Sequence, residues 1–485
     1  MPACLDDYVP DEHICRMIVA FTKLLDLAAL GFKNAVCKEA GNRPFDPRMM
    51  LNLYIYGYLN RIRSSRRLEA ETRRNVEVMW LMNGLMPDDK TICNFRKDNA
   101  TVLKKVFREF TKLCQGLDLY GGDLIAVDST KIRANNSRTH NHNKGTVDKE
   151  LSRIDKKISE YINALDAADK AEAKDKTIKT DPEKIKKALE RLNERKIKFD
   201  GLKVQIEKNG GTEISTVDPD SRLMHQGGDA RYLDVCYNVH TAVDDKNKLI
   251  VDYDLTNDPS DQSGHLKPMA DKVRAITGKK KMTLLADTGF YNGEDIAACE
   301  KIGVKCLVKK PATHAQSEEY LTEKFIYDKK RDCYTCPQKQ ELRFSGVEKS
   351  GKRRYVNCSA CNKCIEKNKC TKAECRRIMR LPYQGALDKV NERTKNSPEL
   401  YRRRAEIVEH PFGTVKKIWS YSQFLCRRKP KVNGEMALAL LAYNMRRVFN
   451  ILKQENRDLA AEMRAIMLAS SIIIWFLSQN SIFEY

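Results

Sequence analysis

Two apolar runs constrain this chain more than any other feature. LIAV at 124–127 and LLA at 284–286 each lead straight into an aspartate, Asp128 and Asp287. Short apolar runs bounded by polar sequence predict strands buried on both faces, as found in sheets covered by helices. An acid at the end of such a strand lies at the sheet rim, where open α/β folds place their active sites. A single acid there commonly caps the next turn, but two of them, separated by a hairpin pattern and a helix pattern, predict a shared site.

A third acid fits the same chemistry. In PELYRRRAEIVEHPFGTVKKIW (398–419), a strongly basic helical pattern, Glu409 and Lys416 stand seven residues apart, two turns along one helical face. That spacing lets a carboxylate reach a metal while the ammonium reaches a phosphate. Three oxygen ligands without companion histidines suit Mg²⁺ or Mn²⁺. Two such ions, held about 3.5–4 Å apart, serve phosphodiester chemistry. Among rival acids, Glu406 lacks a lysine at the matching offset. Asp123, Asp258 and Asp261 lie in turn-like sequence (GGD, NDPSD), where aspartate serves local hydrogen bonding. His410 is expected to pack, and His140 and His142 to lie in a flexible loop. Pro411 is expected to start or kink a helix.

Around these residues the pattern alternates between helix and strand. Residues 11–118 read as helical, with a candidate N-cap at Asp88 or Asp89 and an arginine-rich stretch carrying Arg66, Arg67, Arg73 and Arg74. That stretch is either a phosphate-binding face or a solvated helix surface. YNVHTAVD and KLIVDYDLTN, bridged by DKNK, predict a hairpin. Strand, hairpin, helix, strand, helix, strand then describes a mixed α/β sheet. Residues 147–208 alternate charge sign at heptad-like intervals and predict two antiparallel coiled-coil-like helices forming an arm. Residues 434–454 read as an amphipathic helix. The expected division is 11–118 (helical), 119–146 with 212–312 (first part of the core), 147–211 (helical insertion), 313–385 (cysteine-rich insertion), 386–455 (remainder of the core) and 456–485 (tail helix).

Composition matters in two places. The chain has 485 residues and a formal charge of +22. Such an excess of positive charge calls for a polyanionic partner, above all nucleic acid. Residues 321–380 hold 17 basic against 7 acidic residues, or +10, and residues 391–430 hold 10 against 4, or +6, whereas the arm is nearly balanced. The same interval 321–380 holds seven of the sixteen cysteines: Cys333-x2-Cys336, Cys358-x2-Cys361-x2-Cys364, Cys370 and Cys375. Paired knuckles of this spacing predict structural Zn²⁺ in a zinc-ribbon-like insert. Cys333, Cys336, Cys358 and Cys361 make the first candidate set, with Cys364, Cys370 and Cys375 as substitutes or a second site. The longest apolar stretch, 465–477, is shorter than the roughly 20 residues a membrane span needs. The acidic start MPACLDDYVPDEH has no signal-peptide pattern, so a cytoplasmic protein is expected.

GGDLIAVDSTKIRANNS, LLADTGFYN and RRRAEIVEHPFGTVKK, in that order, resemble the three catalytic blocks of bacterial insertion-sequence DDE transposases, most closely insertion-sequence family 1182. The helical start with DDKTICNFR resembles the InsH-type amino-terminal domain of the same elements. The resemblance covers roughly residues 15–455. It implies a ribonuclease-H-like core in which Asp128, Asp287 and Glu409 hold two Mg²⁺ or Mn²⁺ ions. The implied reaction cuts and joins double-stranded DNA at terminal inverted repeats, in a homodimer or larger assembly on the nucleoid. Lys416 matches the lysine of the related Tyr-Arg-Glu-Lys signature. Ala405 stands where its arginine is expected, which leaves Arg402 or Arg404 as substitutes. The competing expectation is a non-catalytic, transposase-derived, zinc-containing DNA-binding regulator.

Overall fold

The computed structural model describes residues 4–36, 44–172, 182–208, 210, 213–226, 232–311, 317–457 and 462. The expected tail helix at 456–485 falls almost wholly outside the described residues. The amino-terminal part is helical: α1 (Ile14–Leu24), α2 (Pro47–Leu59), α3 (Ser65–Arg74), α4 (Asp89–Asp98) and α5 (Ala100–Gly116). Local chemistry sets their ends. Asp46 caps α2 ahead of a proline at the first helical position, and Asp88 caps α4 by accepting the Thr91 N–H at 2.7 Å. Asp88, not Asp89, is therefore the cap.

The central sheet comprises β1 (Leu124–Arg133), β2 (Arg222–His225), β3 (Leu233–Asp244), β4 (Ile250–Thr256), β5 (Met282–Ala286) and β6 (Val304–Val308). The order is β2-β3-β1-β5-β6, with β4 sharing the outer edge of β3 with β2. β1 runs antiparallel to β3, with Asp128 opposite Thr241, and parallel to β5, with Val127 beside Ala286. β5 and β6 are parallel. This is the mixed α/β sheet that the alternation predicts. α8 (Leu266–Thr277) and α9 (Gly293–Lys301) connect the strands, and α10 (Gln384–Asn396) packs on β6.

One helix differs from its sequence reading. α12 (Lys429–Gln454) is not amphipathic in use: Met436 to Met445 are buried without a break, because it threads between α2, α5 and the sheet. It lies so close to α5 that a Cβ on Gly434 would stand 2.4 Å from the Ala100 carbonyl oxygen.

Two insertions leave this core. α6 (Lys144–Glu172) and α7 (Pro182–Lys208) pack side by side, joined by Val147, Leu151, Ile154, Phe199, Leu202 and Ile206. Ion pairs Glu150–Arg195 (2.7 Å) and Asp148–Lys203 (2.8 Å) fix an antiparallel arrangement. His142 does not lie free in a loop: it joins a two-residue ladder with Ile214 and sits edge-on to Phe199 at 5.4 Å. The second insertion is a five-stranded antiparallel meander: β7 (Ile326–Asp328), β8 (Cys333–Thr335), β9 (Glu341–Val347), β10 (Arg353–Val356) and β11 (Arg377–Arg380). Its buried core is Phe325, Tyr334, Leu342, Tyr355 and Ile378.

Candidate active site

Asp128 is not at the end of its strand. β1 continues to Arg133 because the polar STKIR segment pairs residue for residue with β3, so Asp128 sits in mid-strand. The neighbouring strand stops sooner: β5 pairs with β1 only as far as Val127, and the next backbone pairing on that edge is Arg133 with Gln423. The result is a notch beside residues 128–132 of β1. Asp287, immediately after β5, opens onto it and is held by the Gly289 N–H at 2.8 Å.

One guanidinium acts on both carboxylates, by contact with Asp128 and through its field on Asp287. α11 (Pro398–Phe412) lies against β1, β3 and β5, and from it Arg404 Nη1 reaches Asp128 Oδ2 at 3.0 Å. The Ser129 N–H donates to Asp128 Oδ1 at 2.8 Å. Burial raises the Asp128 carboxyl to about 6; Arg404 and the Ser129 N–H oppose this, while Asp287 and Asp261 add to it. Asp287 is raised in the same way, first by burial, against the opposing field of Arg404.

The other expected residues divide. Lys416 reaches β1, donating to Thr130 Oγ1 at 3.2 Å and the Lys131 carbonyl at 3.0 Å, and burial lowers its pKa. It gets there through a wide π turn, Gly413–Ile418, directly after α11. Pro411 is accommodated inside α11, one residue before that helix ends. Glu409 is exposed, and among the described residues no hydrogen bond or ion pair reaches its carboxylate. It follows Arg404 by five residues, about 140° around the helix. Arg402 and Glu406 are also exposed. His410 packs as expected, with Nδ1 2.7 Å from the Tyr443 hydroxyl. On α3, Arg66 pairs with Asp89, Arg73 with Glu69 and Arg74 with Glu71, and Arg67 is exposed.

Asp261 is the residue that sequence reasoning missed. Its partners are not local: Ser129 Oγ donates to Oδ2 at 2.9 Å, while Asn238 Nδ2 (2.7 Å) and His240 Nε2 (3.0 Å) hold Oδ1. Burial would raise its carboxyl, but these hydrogen bonds outweigh burial and hold it below the ordinary value. Nothing in NDPSD signals this, since each partner lies on a distant strand.

The cysteine-rich insert groups its thiols differently from their order in sequence. Cys336, Cys361, Cys364 and Cys370 line one cavity, whereas Cys358 is bonded to Cys375 and Cys333 is buried on β8. Among the described residues, His13, Cys15 and Glu77 are the trio whose ligand atoms already lie within 4.8 Å of one another. They read as structural: His13 Nδ1 caps α1 by accepting the Cys15 N–H, and burial pushes the Cys15 thiol up to about 12.

Paired carboxylates at the rim of a helix-covered mixed sheet, in a strongly basic chain, define a class of α/β proteins that act on phosphate-bearing polymers. Residues 198–445 match the family model described as Transposase DDE domain, and residues 3–98 match Transposase domain (DUF772). The first spans more than half of the chain, and the protein belongs to the DDE transposase family: it is a DNA transposase of the insertion-sequence kind, with an amino-terminal DUF772 domain. Membership implies a ribonuclease-H-like core and dependence on divalent metal. No curated protein matches the sequence. A cryo-EM structure of the piggyBac transposase synaptic complex with hairpin DNA aligns over 94% of this chain and 77% of its own, at 8% identity and a TM-score of 0.31, too loose to carry an argument. No described helix is long and apolar enough to cross a membrane.

Proposed function

We propose that Asp128 and Asp287 are the primary ligands of two Mg²⁺ or Mn²⁺ ions with which this transposase cuts DNA at terminal inverted repeats and joins it to target DNA. The observation that carries the reading is the notch itself: two half-buried carboxylates, one on β1 and one directly after β5, with Arg404 paired to the first and its field reaching the second. Half-buried acids with raised pKa values, facing open space and a cation, suit hard divalent ions. When bound, the ions would lower the pKa of the attacking water or 3′-hydroxyl and neutralise charge on the phosphodiester. In cleavage, a water oxygen bonds to phosphorus and the bond to the 3′-oxygen breaks, the leaving oxygen taking a proton. In transfer, that 3′-hydroxyl gives up its proton and bonds to a target phosphorus, whose bond to the target strand's 3′-oxygen breaks, the leaving oxygen taking a proton.

Glu409 is the third ligand in this reading. Its exposure on α11 suits a carboxylate that turns inward when metal and DNA are present. Arg404 exchanges Asp128 for a phosphate at the same moment, while Lys416, Arg402 and the α3 residues Arg66, Arg67, Arg73 and Arg74 hold the DNA backbone. The cysteine-rich sheet is read as a zinc-ribbon-like insert holding structural Zn²⁺. The cavity lined by Cys336, Cys361, Cys364 and Cys370 favours those four as its ligands. The paired helices α6 and α7 are read as a coiled-coil-like arm. Two element ends need two active sites, so the working form is a homodimer or larger, acting in the cytoplasm on the nucleoid.

The test is cleavage of a duplex ending in the element's terminal repeat, with Mg²⁺. Asp128→Asn is expected to lose about 10³-fold or more of the activity while remaining folded. Wild type and variant cutting equally well would overturn the reading.

A further inference from the structure

We propose that Asp261 is a further carboxylate arm of the divalent-metal centre, facing Asp287 across Gly289. The inference rests on the reading of Asp128 and Asp287 given above. Asp261 comes from the loop between β4 and α8, and the donors that fix it belong to β1, which borders the notch, and to its other neighbour β3. Ser129 links the two acids directly, its N–H on Asp128 and its hydroxyl on Asp261. Asp128 and Ser129 leave β1 on opposite faces. The edge between them is free of pairing beyond Val127, so acids from both faces can meet there.

A loop that only needed anchoring could use a neutral side chain. Among the described residues no Lys or Arg pairs with the half-buried Asp261, so its charge rests on its three hydrogen bonds and on whatever cation the notch admits. The ion pair recorded for Asp261 is with His240, and that exists only when the imidazole is protonated. Its remaining side faces Asp287. A Cβ on Gly289 would stand 3.0 Å from Asp287 Oδ1 and 3.2 Å from Asp261 Oδ2, so those two oxygens are at most the sum of these distances, 6.2 Å, apart. Only a glycine leaves that gap open.

Among the described residues, β3 carries two buried oxygens that have no hydrogen-bond partner and lie next to two of these acids. Asn238, fully buried and bonded to Asp261 through Nδ2, has none for Oδ1. Thr241, fully buried and directly opposite Asp128, so on the same sheet face, has none for Oγ1. Oxygen acceptors left over beside three carboxylates suit a hydrated hard cation.

The test uses Mn²⁺ alone, titrated into the full chain and followed by electron paramagnetic resonance without DNA. Asp261→Asn is expected to weaken Mn²⁺ binding tenfold or more and to raise the Mg²⁺ needed for half-maximal cleavage by a similar factor. Gly289→Ala, which keeps every side chain of the site but crowds the gap between Asp287 and Asp261, is expected to weaken Mn²⁺ binding severalfold and serves if the first variant fails to fold. Binding within twofold of wild type in these variants, while Asp128→Asn binds poorly, would overturn the role of Asp261 and leave the Asp128–Asp287 reading standing. Unchanged binding in Asp128→Asn as well would overturn both.

Discussion

The acid notch opens between two parallel strands of a mixed sheet and the cysteine-rich insert is a wholly antiparallel one, and the two are held together by different means. The notch is the rim of a core that runs without interruption from α1 through the sheet to α12. The insert has five buried apolar residues of its own and seven cysteines. A unit with so small a core needs covalent or metal cross-links to be stable. The contrast predicts that the acids can be altered chemically without loosening the fold, whereas the cysteines cannot.

Several substitutions would break or sharpen that contrast. The largest effect is expected at Asp287→Asn: strand cleavage falls by roughly 10³-fold or more, while the urea midpoint stays near that of wild type. Unfolding by this variant would place the notch among the supports of the fold and end the distinction. Cys364→Ser, or a strong chelator, is expected to open the insert to limited proteolysis between 326 and 380, with a local loss of about 2–5 kcal/mol. The sheet core should meanwhile keep its cooperative transition. Gly434→Ala tests the core side. A methyl directed at the Ala100 carbonyl forces α12 and α5 apart, at a cost of about 2–4 kcal/mol in global stability.

The smallest effect is electrostatic. Asp128 holds its proton to about 6 in the folded chain, against an ordinary 3.8. A folded pKa above the unfolded one means that the contribution to stability is complete below pH 4 and is lost as pH rises towards 6. In the metal-free protein, wild type should therefore lose about 1–3 kcal/mol relative to Asp128→Asn across that window, measured as the difference in urea midpoints with EDTA present. A difference independent of pH would show that Arg404 already offsets the burial.

What could be read without the structure was what depends on neighbours in sequence. The Asp88 cap depends on Thr91, three residues on, and the run before Asp287 ends where β5 ends. The hairpin of β3 and β4 rests on a short polar turn between two apolar strands. β1 was read too short because its second half is polar and persists only through pairing with β3. α12 was read as amphipathic because its burial on all sides requires α2, α5 and the sheet around it. Asp261 was read as a turn residue because its partners stand 132, 23 and 21 residues away in the chain.

The amino-acid sequence by itself determined the main core elements, the mixed α/β class, the placing of Asp128 and Asp287 after apolar runs, and the concentration of charge and cysteine in the insert. These follow from periodicity, capping and composition, which act over a few residues. Only the tertiary structure decided which groups meet. Asp261 joins the notch and Arg404 bridges into it, while Cys336 stands with Cys361, Cys364 and Cys370, and Cys358 with Cys375. Such meetings depend on strand register and on helices crossing a shared core, and neither has a local signature.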